Sequence, residues 1–162
     1  KLYVMKYTIY TIMLCVVPAL CFSQNELKVD VSFLKETQIL LITVKNESSK
    51  SFGIFNGRIG TNEFDGSVVY LRKNQQSPVS GEGMFLLIEY DKKADILKEF
   101  HPMSWINPYE EKYFGINLKN KRNWLSMKDI FVTIDFSVRL IKEKNIVVVG
   151  KSKRFETFIS IL

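Results

Sequence analysis

The stretch IFVTIDFSVRLIK, residues 130–142, alternates apolar and polar side chains along most of its length. Its apolar residues on one side are Ile130, Val132, Ile134, Phe136, Val138 and Leu140, and its polar residues on the other are Thr133, Asp135, Ser137 and Arg139. Successive side chains of a β-strand point to opposite faces, so this pattern predicts a strand with one face in a core and the other largely in water. We therefore expect a long strand near the middle of an antiparallel sheet.

Shorter runs of strand character occupy most of the remaining chain. They predict strands at residues 27–33, 37–46, 51–55, 67–72, 84–90 and 113–118, and one bulged or two short closing strands over residues 146–162 with a break at 150–153. Helical spacing competes at residues 94–100, where we expect a single turn of helix. Many short strands separated by polar turns predict an all-β, antiparallel β-sandwich of about seven to nine strands.

The N-terminal residues have the pattern of a secretory signal peptide. After Lys6 no charged residue occurs until Glu26, and residues 7–22 form a nearly continuous apolar run. A basic start, an apolar run and small residues before a cleavage point are typical of such peptides. We expect the natural start at Met5 and cleavage after Ser23, so that residues 1–23 are the signal segment and residues 24–162 one exported domain.

Two alternatives concern the same segment. An uncleaved membrane anchor is one, although the run is short for a bilayer span and contains Pro18. Lipidation is the other, but it needs a small residue before its cysteine, and leucine precedes both Cys15 and Cys21. The exported domain has no cysteine, which excludes a disulfide framework, a thiolate metal site and a cysteine nucleophile. We expect a secreted, periplasmic or envelope-associated protein.

The charge of the exported domain is mildly basic. Without Lys1 and Lys6 the 23 basic residues fall to 21 against 17 acidic ones, and the net charge falls from +6 to +4. This charge is compatible with weak attraction to anionic glycans or lipid head groups, and it is below what nucleic-acid binding proteins show. A domain of about 139 residues is large enough to be held together by its core alone.

Three features of the sequence occur together in a known kind of domain. They are a strand that closes on Val44-Lys45-Asn46-Glu47-Ser48, a loop Ile106-Asn107-Pro108-Tyr109-Glu110 that leads into an alternating strand, and two long strands at the end. In these features the chain resembles immunoglobulin-like sandwiches of secreted Bacteroidetes proteins. The tail Phe22-Ser23-Gln24 is similar to the signal peptides of such proteins. The chain departs from the pattern in lacking a Cys-Trp-Cys framework and in carrying Pro108-Tyr109-Glu110 where Pro-Gly-Glu is common. The resemblance implies a fold and no activity.

Catalytic and metal-binding patterns are sparse in this sequence. The one histidine, His101, precedes Pro102 and has no Gly-x-Ser-x-Gly elbow to partner it, so we interpret it as a loop residue. One histidine without cysteine is a poor zinc site. Residues 62–66, Asn-Glu-Phe-Asp-Gly, lack the alternating ligands of a calcium loop and are interpreted as a turn. Asn46-Glu47-Ser48 fits a glycosylation sequon, which matters only in a eukaryotic secretory pathway.

Two segments are candidate binding sites. Lys119, Lys121, Arg122 and Lys128 interleave with Trp124, a combination that can stack on sugars or nucleotides, although a solvated loop with Trp124 in the core is the favoured alternative. The segment 100–109 combines two prolines with Trp105 and Tyr109, residue types enriched at interface hot spots. Trp105 plugging one end of the sandwich is the alternative there. We predict Trp105, Tyr109, Lys121, Arg122 and Trp124 as binding residues.

The leading functional hypothesis is an exported, non-catalytic binding module without a cofactor. It would contact another envelope protein or a surface glycan through loops and edge strands, with protease inhibition as a particular case. The first alternative is a polysaccharide hydrolase with its acids near Glu110 and Glu111. The second is a closed barrel that holds an apolar ligand.

Overall fold

The computed structural model describes residues 26–56, 66–79, 81–140 and 151–161. The predicted signal peptide, most of the Asn-Glu-Phe-Asp-Gly segment and the start of the predicted closing strands lie outside these residues. In chain order the elements are β1 (Leu27–Leu34), β2 (Ile39–Asn46), β3 (Phe52–Phe55), β4 (Val68–Arg72), β5 (Met84–Leu86), β6 (Ile88–Asp91), β7 (Ile96–Leu97), β8 (Met103–Ile106), β9 (Glu111–Asn117), α1 (Arg122–Leu125), β10 (Asp129–Leu140) and β11 (Lys151–Ser160).

The strands form two sheets. The first has the order β1-β2-β9-β6-β7, and the second has the order β5-β4-β10-β3-β8 with β11 on the free edge of β10. Every strand pairing in the described residues is antiparallel. The prediction of an all-β antiparallel fold is confirmed, and the presence of two sheets distinguishes a sandwich from one closed sheet.

One hydrophobic core lies between the two sheets. Side chains from both inner faces are completely buried in it, among them Leu40, Ile42 and Phe114 from the first sheet and Phe52, Ile54 and Phe136 from the second. Full burial of a large apolar side chain contributes about 1.5–3 kcal/mol, so this shared layer is what holds the sheets together. The core needs no crosslink because both faces supply branched and aromatic residues that fill it.

Strand β10 is the centre of the second sheet, as its sequence predicts. Strand β11 pairs along one edge from Asp129 to Val138, while β4 and β3 share the other edge end to end. The predicted inward residues Ile130, Val132, Ile134, Phe136 and Val138 are buried, while the side chain of Leu140 lies outside the described part of the chain. Phe136 packs edge-on against Phe155 with ring centroids 5.6 Å apart. Because three strands flank it, β10 is shielded from water on both edges as well as on its core face.

The outer face of β10 differs from the prediction of a largely solvated face. Thr133, Ser137 and Arg139 are only 3%, 8% and 3% exposed. Thr133 accepts a hydrogen bond of 2.6 Å from Arg72, which also forms a salt bridge of 3.3 Å with Glu156. Long side chains on the neighbouring strands therefore cover the polar residues of β10. The alternating pattern of a single strand cannot predict this cover, because it carries no information about the neighbouring strands.

The interruption between β3 and β4 is held by Ser67. Its backbone N–H and its hydroxyl both donate to the carbonyl oxygen of Phe55, at 2.7 and 2.8 Å, and its hydroxyl accepts the N–H of Ser137 at 2.9 Å. The Ser67 side chain thus pairs with the backbone of β10 at the point where β3 has ended and β4 has not yet begun. The described ranges contain eleven strands, because the predicted strand at residues 84–90 is divided into β5 and β6 and because β7 and β8 lie where no strand is predicted.

Three further local predictions are corrected by the structure. The predicted helical turn at residues 94–100 is a tight turn followed by β7, with Asp95 at a φ of 57°. The only α-helix in the described ranges is α1, inside the segment predicted as a basic connection. The expected break at residues 150–153 is replaced from Lys151 onward by the continuous strand β11, because pairing with β10 extends strand structure through polar residues.

Candidate functional site

The basic segment after β9 encloses a surface cavity. The cavity has a volume of about 460 Å³ and is lined by Glu82, Lys119, Asn120, Lys121, Arg122, Asn123 and Trp124. Three of the five predicted binding residues therefore lie around one space. Sequence reasoning did not include Glu82, Asn120 and Asn123 in the site; the asparagines alternate with the basic residues, whereas Glu82 is distant in sequence.

Backbone hydrogen bonds hold this segment in place. The N–H of Leu118 donates to the carbonyl oxygen of Gln38 at 2.9 Å, and the N–H of Lys121 donates to Leu118 at 2.8 Å. The carbonyl oxygen of Lys121 then accepts the N–H groups of Trp124 and Leu125 in the single turn α1. The basic side chains therefore project from an ordered turn, which limits the entropy lost when a ligand orders them.

Trp124 forms the floor of the cavity and belongs to the hydrophobic core. Its side chain is only 7% exposed, in agreement with the alternative that the sequence favoured. It packs on Gly83, where an added Cβ would collide with the carbonyl oxygen of Leu71 and lie 3.1 Å from Cζ2 of Trp124. The lack of a side chain at Gly83 thus allows the short 3-10 turn Gly81–Gly83 to approach and brings Glu82 to the rim.

The electrostatics of the cavity favour an anion. Three cations, Lys119, Lys121 and Arg122, face one carboxylate, that of Glu82. None of the three cations forms a salt bridge with a described residue. The ammonium of Lys121 lies 5.8 Å from the centroid of the Phe85 ring, which orients it without neutralising it. The site therefore offers unneutralised positive charge next to amide groups that donate and accept hydrogen bonds.

Trp105 lies apart from this cavity, on the edge strand β8. Its ring covers the outer face of the second sheet, and a Cβ at the opposite residue, Gly53, would lie only 2.8 Å from Cζ3 of the ring. Trp105 is half-buried on this strand. It therefore lies neither in a loop, as predicted, nor at one end of the sandwich, as the alternative held. Pairing with β3 makes this segment a strand, because Met103 and Trp105 point outward while Ser104 and Ile106 point into the core.

Tyr109 is the most exposed of the predicted aromatic residues. It is 69% exposed, has a φ of 60° and lies in the turn closed by the bond from the Glu110 N–H to the Asn107 carbonyl oxygen. The carboxylate of Glu110 also accepts the N–H of Asn107 at 2.7 Å. The turn is thus rigid, and it presents one aromatic ring to solvent.

The residues considered for catalysis are not gathered into one site. His101 is an exposed residue of the segment before β8. Glu110 stabilises the turn just described, and the carboxylate of Glu111 accepts a hydrogen bond from the hydroxyl of Tyr113, whose pKa is raised by that bond. In the described ranges no group of three or more His, Cys, Asp or Glu side chains is placed to hold a metal ion.

The fold and the cavity together define an all-β, antiparallel two-sheet protein with a basic surface cavity. No family model matches the chain, and no curated protein matches it. Within the part of the chain that the structure describes, no helix has the length and apolar character needed to cross a membrane.

Two solved structures are similar to this chain at low TM-scores. One is a crystal structure of a protein from Archaeoglobus fulgidus, at a TM-score of 0.35 and 10% sequence identity, covering 83% of this chain and 94% of that one. The other is AggA, the major subunit of aggregative adherence fimbriae type I from Escherichia coli, at a TM-score of 0.33 and 10% identity, covering 83% and 93%.

Proposed function

We propose that this protein is an exported, non-catalytic binding module that holds an acidic glycan at the basic cavity. The observation that carries this proposal is the convergence of Lys119, Lys121 and Arg122 on one 460 Å³ space with a single opposing carboxylate. Guanidinium and ammonium groups form their strongest hydrogen bonds with carboxylates and other oxyanions. The two asparagine amides of the cavity suit the hydroxyl groups of a sugar.

Size and burial favour a short glycan segment over a nucleic acid. Small-ligand sites commonly have volumes of about 300–1,000 Å³, and this cavity falls in that range. Single-stranded nucleic acids are held by stacking on accessible aromatic rings, whereas Trp124 is 7% exposed and packed in the core. A few exposed cations on an ordered turn are enough to select an acidic sugar by charge, with an affinity that falls as salt rises.

The test is saturable binding of acidic oligosaccharides, measured by calorimetry with oligogalacturonate as the probe. We expect Lys121→Gln with Arg122→Gln to weaken binding at least tenfold, which corresponds to about 1.4 kcal/mol. The matched control is Lys28→Gln with Lys35→Gln, which removes the same charge from exposed positions outside the cavity. Equal weakening in both variants would mean that the net charge of the protein, and not the cavity, determines binding, which would overturn the proposal. Undiminished binding in the cavity variant would overturn it as well.

A second candidate function is protein contact through the outer edge of the second sheet. The observation that favours it is an apolar row along β5 and β8, formed by Trp105, Met103, Leu86 and Met84, of which Leu86 and Met84 are 40% and 41% exposed. Aromatic and methionine side chains are enriched at the centres of interfaces. A pull-down from envelope extract that loses its partner on Trp105→Ala with Tyr109→Ala, in a variant that stays folded, would support this function over glycan binding.

A further inference from the structure

A second, smaller cavity lies at the opposite end of β9. It has a volume of about 240 Å³ and is lined by residues of β6, the β6–β7 turn and the first residues of β9, namely Glu89, Tyr90, Asp91, Lys92, Lys93, Lys98, Glu111, Lys112 and Tyr113. Strand β9 separates it from the basic cavity by about 20 Å, taking about 3.4 Å per residue. The two cavities are therefore separate and share no lining residue.

The three carboxylates of this smaller cavity already have partners. Glu89 forms a salt bridge of 3.1 Å with Lys112, and both side chains are largely buried. Asp91 accepts the backbone N–H groups of Lys93 and Ala94 at 2.9 and 3.1 Å, which hold its pKa below the ordinary value. Glu111 accepts the hydroxyl of Tyr113. One ion pair and several hydrogen bonds thus hold these three carboxylates in fixed positions, and each keeps its negative charge.

The lining of this cavity holds four lysines and three carboxylates. Lys93 and Lys98 are exposed and form neither a salt bridge nor a side-chain hydrogen bond with any residue that the structure describes. Lys92 lies 4.9 Å from the centroid of the Tyr113 ring. The charges of Lys93 and Lys98 act on Asp91, and that of Lys98 also acts on Glu89, but neither lysine forms a direct ion pair with them. Four lysines against three carboxylates leave a small excess of positive charge at the opening, which a bound anion would balance.

Tyrosine rings supply an apolar wall beside these charges. Tyr113 is half-buried, and Tyr90 is 6% exposed and belongs to a small apolar cluster with Ile39 and Leu41 on the outer face of the first sheet. The hydroxyl of Tyr90 donates to Asp95, which with burial raises the pKa of Tyr90 to about 12 and keeps the phenol neutral. A flat apolar surface next to ammonium groups fits a sugar ring that carries a carboxylate, since the ring stacks and the carboxylate pairs.

We infer that this smaller cavity is a second binding site, for a single acidic sugar residue, with Lys93 and Lys98 as the carboxylate-binding groups and Tyr113 as the stacking surface. The choice of a sugar acid as ligand class rests on the proposed function, whereas the site itself rests on its own cavity and charges. A volume of about 240 Å³ lies below the usual range for drug-sized ligands and suits one residue of a longer chain. Two sites on one module allow one polymer, or two neighbouring polymers, to be held with avidity.

The experiment titrates the protein with trigalacturonate and follows heat and backbone amide resonances. We expect two binding events in the wild type. Lys93→Gln with Lys98→Gln should remove the event that shifts the resonances of Lys92 and Tyr113 and weaken that site at least tenfold. Melting temperatures should stay within a few degrees because both lysines are exposed. The variant with Lys121→Gln and Arg122→Gln should retain this event and lose the other.

The outcomes separate this inference from the proposed function. One binding event that is lost only in the Lys121/Arg122 variant would overturn the second site and leave the proposed function standing. Binding at the smaller cavity, lost in the Lys93/Lys98 variant, with no event at the basic cavity, would overturn the proposed function and leave the second site standing. Equal competition by inorganic phosphate, or no change on Tyr113→Ala in the folded protein, would overturn the assignment of a sugar acid to the second site.

Discussion

Asn46, the last residue of β2, joins three segments of the chain through its side-chain amide. It is completely buried, and its Nδ2 donates to the carbonyl oxygens of Lys50 at 2.6 Å and Asn107 at 2.9 Å. Its Oδ1 accepts the N–H and the hydroxyl of Ser48, both at 2.9 Å. The amide nitrogen of this sequon is therefore occupied in the folded protein, and the residue has a structural role.

We predict that Asn46→Ala destabilises the protein by about 2–3 kcal/mol. The substitution removes the donor to two carbonyl oxygens and the acceptor of the N–H and the hydroxyl of Ser48. Each such bond contributes about 0.5–1.5 kcal/mol net, and water can replace the bond to the part-buried hydroxyl, so the sum over these bonds lies near the lower end of what this range allows. The loss is a large share of a total stability of about 5–15 kcal/mol. Urea denaturation followed by circular dichroism should show the midpoint lowered by about 1–2 M, since m is about 1–3 kcal/mol per molar for small proteins.

Asn74 provides a matched control for this prediction. Its Oδ1 accepts three hydrogen bonds, from the N–H of Gln76 and from the N–H and hydroxyl of Ser77, at 2.8–3.0 Å. Because this turn is exposed, water can replace the lost side chain, and we expect Asn74→Ala to cost under about 1 kcal/mol. Equal losses for the two variants, or a midpoint unchanged by Asn46→Ala, would refute the argument that burial of this amide determines its contribution.

Two further predictions concern the core and the acid stability of the sandwich. Phe136→Ala removes a fully buried ring that packs against Phe155, and it should cost about 3–5 kcal/mol in a denaturant melt; a loss under about 1 kcal/mol would contradict the assignment of this face. For Glu89, burial acts to raise the pKa, but hydrogen bonds from Ser104 and Lys112 and the charge of Lys112 lower it overall. Its contribution is therefore present above the unfolded pKa of about 4.3 and lost as the pH falls through the lower folded value. Melts at several pH values should show the difference between wild type and Glu89→Gln shrinking below about pH 4, and a difference independent of pH would contradict this.

Partners distant in sequence explain why the outer face of β10 is not the largely solvated face that its pattern predicts. Thr133 lies on that face, yet it is 3% exposed and bonded to Arg72, which is 61 positions away. Asn46 and Asn107 are also 61 positions apart. Such contacts leave no periodic signal, because neither partner is marked by its own neighbours in the chain.

The candidate sites likewise combine residues that are adjacent in the sequence with residues that only the fold brings together. Lys121 and Arg122 were recognisable as a basic segment because adjacent charges are visible in any sequence. The cavity around them was not recognisable from the sequence, since it also depends on Glu82 and on the close approach of Gly83 to Trp124, which the fold brings together. The smaller cavity likewise combines the β6–β7 turn with the start of β9, which meet only through the pairing of β6 with β9.

The sequence by itself determined the all-β class and the central strand β10, because alternation between two faces is a local property of each strand. The tertiary structure decided which polar faces are covered, how β3 and β4 share one edge of β10, and which charged groups border a common cavity. These features depend on strand order and on contacts between distant residues. The period of a strand specifies which side chains share a face, but only the assembled sheets determine what lies against that face.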